Sequence, residues 1–94
     1  MPTFERLRRF DLDFAALSAA QQDAFRSAVA KFVADLQRDQ GFRKGLRVKG
    51  IRGASGMFEM TWASNGRATF SYGASQRDGQ PHLVWHRVGT HDVL

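Results

Sequence analysis

The sequence predicts an α+β fold, in which an N-terminal strand and a helical hairpin pack on one face of a four- to five-stranded, mainly antiparallel sheet. Apolar residues recur with helical spacing before Gly41 and with alternating, strand-like spacing after it. The 94 residues suffice for one domain with a modest core, and 43% hydrophobic residues indicate a folded chain. Helices that precede a run of hairpin-connected strands favour this layered arrangement.

The N-terminal segment predicts a strand and a short helix. Thr3–Leu7 can form the first strand, and a helix is expected over Asp11–Leu17. The apolar positions that indicate this helix are Phe10, Phe14 and Leu17.

A longer second helix is predicted by its start signal and its periodicity. Ser18 followed by Gln21 three residues later is typical of a capping box, and Gly41 is a typical residue after a helix end. One buried stripe is expected along this helix. Its members are Phe25, Val29, Phe32, Val33 and Leu36.

Four further strands are predicted after Gly41. They are Leu46–Ile51, Met57–Ala63, Arg67–Tyr72 and Leu83–Val88. Glycines punctuate the first connection, Ser64-Asn65-Gly66 predicts a hairpin turn, and Gly73–Pro81 is expected to be a longer loop.

The alternation of side chains along each strand predicts which face of the sheet each residue occupies. The side under the helices should carry Phe58, Met60, Trp62, Ala68, Phe70 and Tyr72. The opposite, open face should carry Glu59, Thr61, Arg67, Thr69 and Ser71. In the last strand we expect Val84 and Val88 to point inward, which turns Trp85 and Arg87 toward the open face.

The charge distribution points to a polyanionic partner. The net charge is +5, and residues 42–94 carry eight Lys/Arg against three Asp/Glu, whereas residues 1–41 carry six of each. A localised cationic surface is expected of a protein that binds phosphates or carboxylates, although such charge can also serve solubility alone.

Several other classes of protein are disfavoured. The absence of cysteine and of a signal peptide predicts a cytoplasmic protein, and without an apolar run of about 20 residues no contact with a membrane is expected. His82, His86 and His91 lack a nearby carboxylate pattern, so we predict no metal site and no cofactor.

The order of elements and certain residues resemble the RelE/ParE superfamily of bacterial toxins from toxin–antitoxin pairs. The matching segments are Phe42-Arg43-Lys44, Leu46-Arg47-Val48-Lys49, Gly56-Met57-Phe58-Glu59-Met60, Gly66-Arg67-Ala68-Thr69-Phe70-Ser71-Tyr72 and Arg87-Val88-Gly89-Thr90-His91. The resemblance implies a RelE-like fold over residues 1–94 and a separate antitoxin as partner. It also implies an endoribonuclease that cuts mRNA, free or on the ribosome, or a ParE-like toxin that inhibits DNA gyrase without catalysis.

The resemblance also implies two catalytic residues. Arg67 follows a turn and opens a strand, where similar nucleases keep a phosphate-binding arginine, and His91 stands where YoeB-like enzymes keep a terminal histidine. The strand lysines of RelE-like enzymes are missing from Met57–Ala63, which leaves the general base open. Glu59 can take that role if it shares the open face with Arg67.

RNA cleavage by the 2′-hydroxyl needs a base, an acid and cations at the phosphate, and none of these has to be a metal ion. The predicted RNA-binding residues are Arg47, Lys49, Arg52, Trp85 and Arg87, in which Trp85 could stack on a base. Two structural alternatives stay open: a surface ion pair between Arg67 and Glu59, and a solvated His91. A plain RNA-binding module is the third functional alternative.

Overall fold

The computed structural model describes residues 2–90, which form two helices on a five-stranded sheet. The elements are β1 (Thr3–Arg6), α1 (Arg8–Ala15), α2 (Ala19–Arg38), a 3₁₀ turn (Lys44–Leu46), β2 (Lys49–Gly50), β3 (Met57–Ala63), β4 (Gly66–Arg77) and β5 (Gln80–Thr90). The strand order is β1-β5-β4-β3-β2. Within residues 2–90, the β1–β5 pair is parallel and the other three pairs are antiparallel. The predicted α+β class is therefore confirmed.

Helix α2 begins as its sequence predicts. The Ser18 side chain accepts a hydrogen bond from the Gln21 amide (3.1 Å), and the Gln21 side chain accepts one from the Ser18 amide (2.8 Å). The helix ends earlier than expected, because Asp39 already takes a left-handed capping conformation (φ 55°), two residues before Gly41 (φ 87°). Helix α1 also differs from the prediction, since it begins at Arg8 and ends at Ala15.

One apolar core joins both helices to one face of the sheet. Phe32, Met60, Phe70 and Val88 are completely buried in it. Phe25 of α2 contacts the rings of Trp62 and Trp85 edge-on, at centroid distances of 6.2 and 5.7 Å. Among the helices within residues 2–90, none is long and apolar enough to cross a membrane.

Two sheet boundaries correct the sequence prediction. Gly73–Pro81 is not a loop, because β4 and β5 continue through it to a two-residue turn at Asp78-Gly79, where Gly79 has φ 73°. Leu46–Ile51 is mostly not a strand, because its first residue ends the 3₁₀ turn and only Lys49–Gly50 pairs with β3.

A β-bulge in β5 reverses the predicted faces of Val84 and Trp85. Thr69 pairs with Arg87 and Phe70 with Trp85, so His86 is an extra residue without a partner in β4. Trp85 is consequently buried at 4% exposure, and Val84 turns away from the core, contrary to the prediction. Val88 lies in the core as predicted, because it follows the bulge and the extra residue changes the faces only of the residues before it.

Candidate functional site

The face of the sheet opposite the helices carries a row of four polar side chains that crosses four strands. Lys49 of β2 pairs with Glu59 of β3, Glu59 with Thr69 of β4, and Thr69 with Arg87 of β5. Each neighbouring pair lies directly across two strands, where side chains come within reach of one another. We call Lys49, Glu59, Thr69 and Arg87 the polar row.

Glu59 forms an ion pair with Lys49, which lies at the exposed end of the polar row. Its carboxylate lies 3.6 Å from the ammonium of Lys49, and the two side chains are 21% and 70% exposed. A pair with so exposed a cation contributes at most about 1 kcal/mol to stability. Lys49 can therefore leave Glu59 for a phosphate at little cost.

Arg87, at the other end of the row, binds helix α1. Its Nε and Nη2 atoms donate to the Asp13 carboxylate at 2.6 and 3.1 Å. Asp13 also accepts a hydrogen bond from the Val88 amide (3.3 Å), beyond the part of β5 that pairs with β1. The hydrogen bond from Arg87 lowers the pKa of Asp13, and the same hydrogen bond raises the pKa of Arg87. No sequence motif predicts this pair, because its members are 74 residues apart.

Arg67 occupies the next position along β4, where it pairs with Thr61 and Gly89. Its Nη1 atom folds back onto the hairpin turn and donates to the carbonyls of Ala63, Ser64 and Gly66 at 3.3, 3.4 and 2.9 Å. Arg67 is thus bound to its own turn and Glu59 to Lys49, so the structure does not join them in an ion pair.

An imidazole that the sequence predicted to point inward, that of His86, lies on this face. His86 Nε2 lies 2.8 Å from Ser71 Oγ, on the side of β4 that also bears Thr69. The His86 ring has no other hydrogen-bond partner within residues 2–90. Simple alternation places His86 inward, and only the bulge brings it to the open face.

His91 lies outside the described residues. The chain preceding it ends beside Arg67, because Thr90 pairs with Gly66 and Gly89 with Arg67. The predicted convergence of Arg67 and His91 remains a prediction.

The other predicted RNA-binding residues occupy different surroundings. Arg47 and Arg52 are exposed, and their side chains have no ion-pair partner within residues 2–90. Trp85 cannot stack on a base, because it is buried against Phe10, Phe25, Phe32 and Phe70. Within the same range, no group of three or more His, Asp or Glu side chains is placed to hold a metal ion.

Solved structures share this fold over nearly their whole length. A copper-bound mutant toxin from Helicobacter pylori has a TM-score of 0.71 at 13% identity, with 100% of this chain and 99% of that chain covered. YafQ in the E. coli DinJ–YafQ toxin–antitoxin complex has a TM-score of 0.67 at 14% identity, covering 99% and 96%. RelE in the RelB–RelE complex of Methanococcus jannaschii has 0.61 at 12%, covering 94% and 91%.

These similarities confirm the predicted likeness to RelE/ParE toxins at the level of the fold. No protein-family model and no curated protein matches the sequence. Identities of 12–14% leave the chemistry to be argued from this chain's own side chains.

Proposed function

We propose that this protein is the toxin of a toxin–antitoxin pair and acts as a metal-independent endoribonuclease on mRNA, free or on the ribosome. The observation that carries the proposal is the open sheet face of a toxin fold, on which the polar row, the position of Arg67 and the Ser71–His86 pair lie together. Its side chains offer cations, a carboxylate and an imidazole without a metal ion.

The spacing of these groups suits one ribonucleotide linkage. Arg67 and Thr69 are two residues apart on the same face of β4, which corresponds to about 7 Å along a strand. Glu59 lies directly across from Thr69. A phosphate bound by the guanidinium of Arg67 would therefore lie within one nucleotide of the Glu59 carboxylate.

Each group has a defined role in the proposed reaction. Glu59 takes the proton of the 2′-hydroxyl, whose oxygen attacks phosphorus, while Arg67 and Lys49 stabilise the charge that builds on the phosphoryl oxygens. The P–O5′ bond breaks, and His91 gives its proton to the departing 5′-oxygen, which leaves a 2′,3′-cyclic phosphate. DNA is spared because it lacks the attacking hydroxyl.

His86 is an additional candidate for this site. Ser71 fixes the ring through Nε2, so Nδ1 is the nitrogen that can reach a phosphate oxygen or a sugar hydroxyl. Arg87 is the neighbour of His86 in β5 and is oriented by Asp13, so it can bind the next phosphate of the RNA.

An antitoxin is the proposed protein partner. The YafQ and RelE structures are complexes of a toxin with an antitoxin. The net charge of +5 favours an acidic or amphipathic antitoxin segment.

The decisive experiment compares Arg67→Ala with the unchanged protein. Cleavage of a defined mRNA is mapped by primer extension, for free mRNA in the presence of EDTA and for translating ribosomes in the Mg²⁺ that they require. We expect Arg67→Ala to lower the cleavage rate by on the order of a hundredfold, the scale of one lost transition-state donor. Arg77→Ala removes the same charge at the far end of β4 and should cleave normally.

The same preparations distinguish the alternatives. Normal cleavage by Arg67→Ala would remove this residue from the site. If the unchanged protein leaves mRNA intact but traps DNA breaks with gyrase, the non-catalytic ParE-like reading is correct. Strongly salt-dependent RNA binding without any product would identify an RNA-binding module instead.

A further inference from the structure

A second concave surface lies between α2, the 3₁₀ turn and the β3–β4 hairpin. This cavity, which we call the cationic cleft, has a volume of about 660 Å³. Four of its lining residues are cations, namely Lys31, Arg43, Arg47 and Arg67. Among the described residues, no carboxylate lines it.

Among carboxylates of residues 2–90, one is paired with these four cations, and it neutralises Arg43. Arg43 donates to the buried Asp35 through its amide, Nε and Nη2, at 2.9, 2.8 and 2.8 Å. Lys31 and Arg47 are exposed, and within residues 2–90 neither side chain has a hydrogen-bond or ion-pair partner. Arg67 engages its turn through Nη1 alone. Positive charges that line one concavity without an acid raise the local concentration of anions.

The backbone holds Arg47 at this cleft in an unusual conformation. The Asp35–Arg43 contacts fix the start of the 3₁₀ turn, and buried Leu46 anchors its end. The next residue, Arg47, has φ 47° and ψ 45°, a left-handed conformation that glycine adopts without strain. Arginine in this conformation carries a strain that glycine would avoid, which makes its side chain a candidate for function.

We infer that the cationic cleft binds a phosphate of the RNA strand, one or two nucleotides from the linkage on the open face. Arg67 connects the two surfaces, since it pairs within the sheet beside the polar row and also lines the cleft. Hydroxyls of Ser27 and Ser64 line it too and can donate to phosphate oxygens. The volume exceeds that of a single phosphate and suits a nucleotide unit. The choice of RNA as ligand rests on the proposed function.

The test measures binding without cleavage. A fluorescent 12-nucleotide single-stranded RNA with 2′-O-methyl groups throughout cannot be cut, and its affinity is measured by anisotropy between 50 and 300 mM salt. Lys31→Ala removes one charge, and Arg47→Gly removes another while keeping the left-handed backbone. Each lost phosphate contact should lower the salt slope by about 0.7, which corresponds to a roughly fivefold loss of affinity at 0.1 M salt.

Controls distinguish RNA binding in the cationic cleft from nonspecific electrostatic attraction to the whole surface. Arg77→Ala carries the same charge loss away from the cleft and should change affinity less than twofold. The inference is overturned if Lys31→Ala and Arg47→Gly bind like the unchanged protein, or if Arg77→Ala loses as much as they do. It is also overturned if these two variants lose affinity for polyglutamate but not for RNA, which would assign the cleft to an acidic peptide.

Failure of the proposed function gives a different result. If the unchanged protein does not cut unmodified RNA, yet its binding depends on Lys31 and Arg47, the endoribonuclease proposal fails and the cleft stands. If it cuts RNA while both variants bind normally, the cleft fails and the endoribonuclease stands.

Discussion

Replacing Gly66 by alanine should destabilise the protein severely. A Cβ at this position would lie 2.5 Å from Cδ2 and 2.7 Å from Cζ2 of Trp62, and closer still to Cε2. Carbon atoms in ordinary contact are about 3.5–4.0 Å apart, so the indole ring would have to retreat by about 1 Å. The ring is confined, because Phe25 packs edge-on against it and its Nε1 donates to the Arg67 carbonyl at 2.9 Å.

The expected cost follows from these contacts. Overpacking of this kind costs about 1–3 kcal/mol, and loss of the Trp62–Arg67 hydrogen bond adds about 1 kcal/mol. For a domain of this size, the sum lowers the melting temperature by roughly 10 °C or more. Differential scanning calorimetry and urea unfolding followed by tryptophan fluorescence measure it directly.

The matched control is Gly45→Ala. No atom lies within 4 Å of a Cβ built there, and its φ is not in the left-handed region, so we expect a change within about 0.5 kcal/mol. In the double variant Gly66→Ala/Trp62→Phe, the smaller ring leaves room for the Cβ. The loss of stability should therefore be less than the sum of the losses in the two single variants. A Gly66→Ala protein that melts at the normal temperature would show that the turn does not depend on the ring.

Asp35→Asn should destabilise the protein at pH 7, because the hydrogen bonds from Arg43 lower the pKa of this buried carboxyl. That stability is present above the unfolded pKa of about 4 and is lost as the pH falls through the lowered folded value, so urea midpoints of variant and unchanged protein should converge in acid; a constant difference would contradict this. Phe32→Ala removes a fully buried ring and should cost about 3–5 kcal/mol, whereas Leu12→Ala, at a residue 61% exposed, should cost almost nothing. EDTA should leave the cleavage of free mRNA unchanged, and a metal requirement in that assay would refute the proposed chemistry.

The sequence predicted the helical layer better than the ends of the strands. A capping box and a stripe of apolar residues are local signals, and α2 follows both. The β4–β5 hairpin was shortened in the prediction because its exposed part, from Gly73 to Arg77, lacks an apolar alternation. Asp78-Gly79 is a strong hairpin signal that would have corrected it.

The candidate site could be predicted only in part, because one bulge decides it. Glu59, Thr69 and Arg67 lie on the face that the pleat predicts, where Thr69 is buried at 6% exposure. An extra residue in β5 leaves no signature in composition or periodicity, and it moves Trp85 into the core while it brings His86 to the open face. Long-range partners such as Asp13 are equally invisible before the fold is known.

Lys49, Arg67 and Arg87 differ in how easily their side chains can reach RNA. Lys49 is 70% exposed and only weakly held by Glu59, so a phosphate can replace its partner at little cost. Arg67 offers Nε and Nη2 while Nη1 stays on the turn. Arg87 is 28% exposed and makes two hydrogen bonds to the Asp13 carboxylate, which is 15% exposed. Breaking these hydrogen bonds would leave the charge of Asp13 buried and unpaired, so Arg87 should contact a phosphate without leaving Asp13. Arg67 and Lys49 should therefore supply the positive charge that stabilises the phosphoryl group during the reaction.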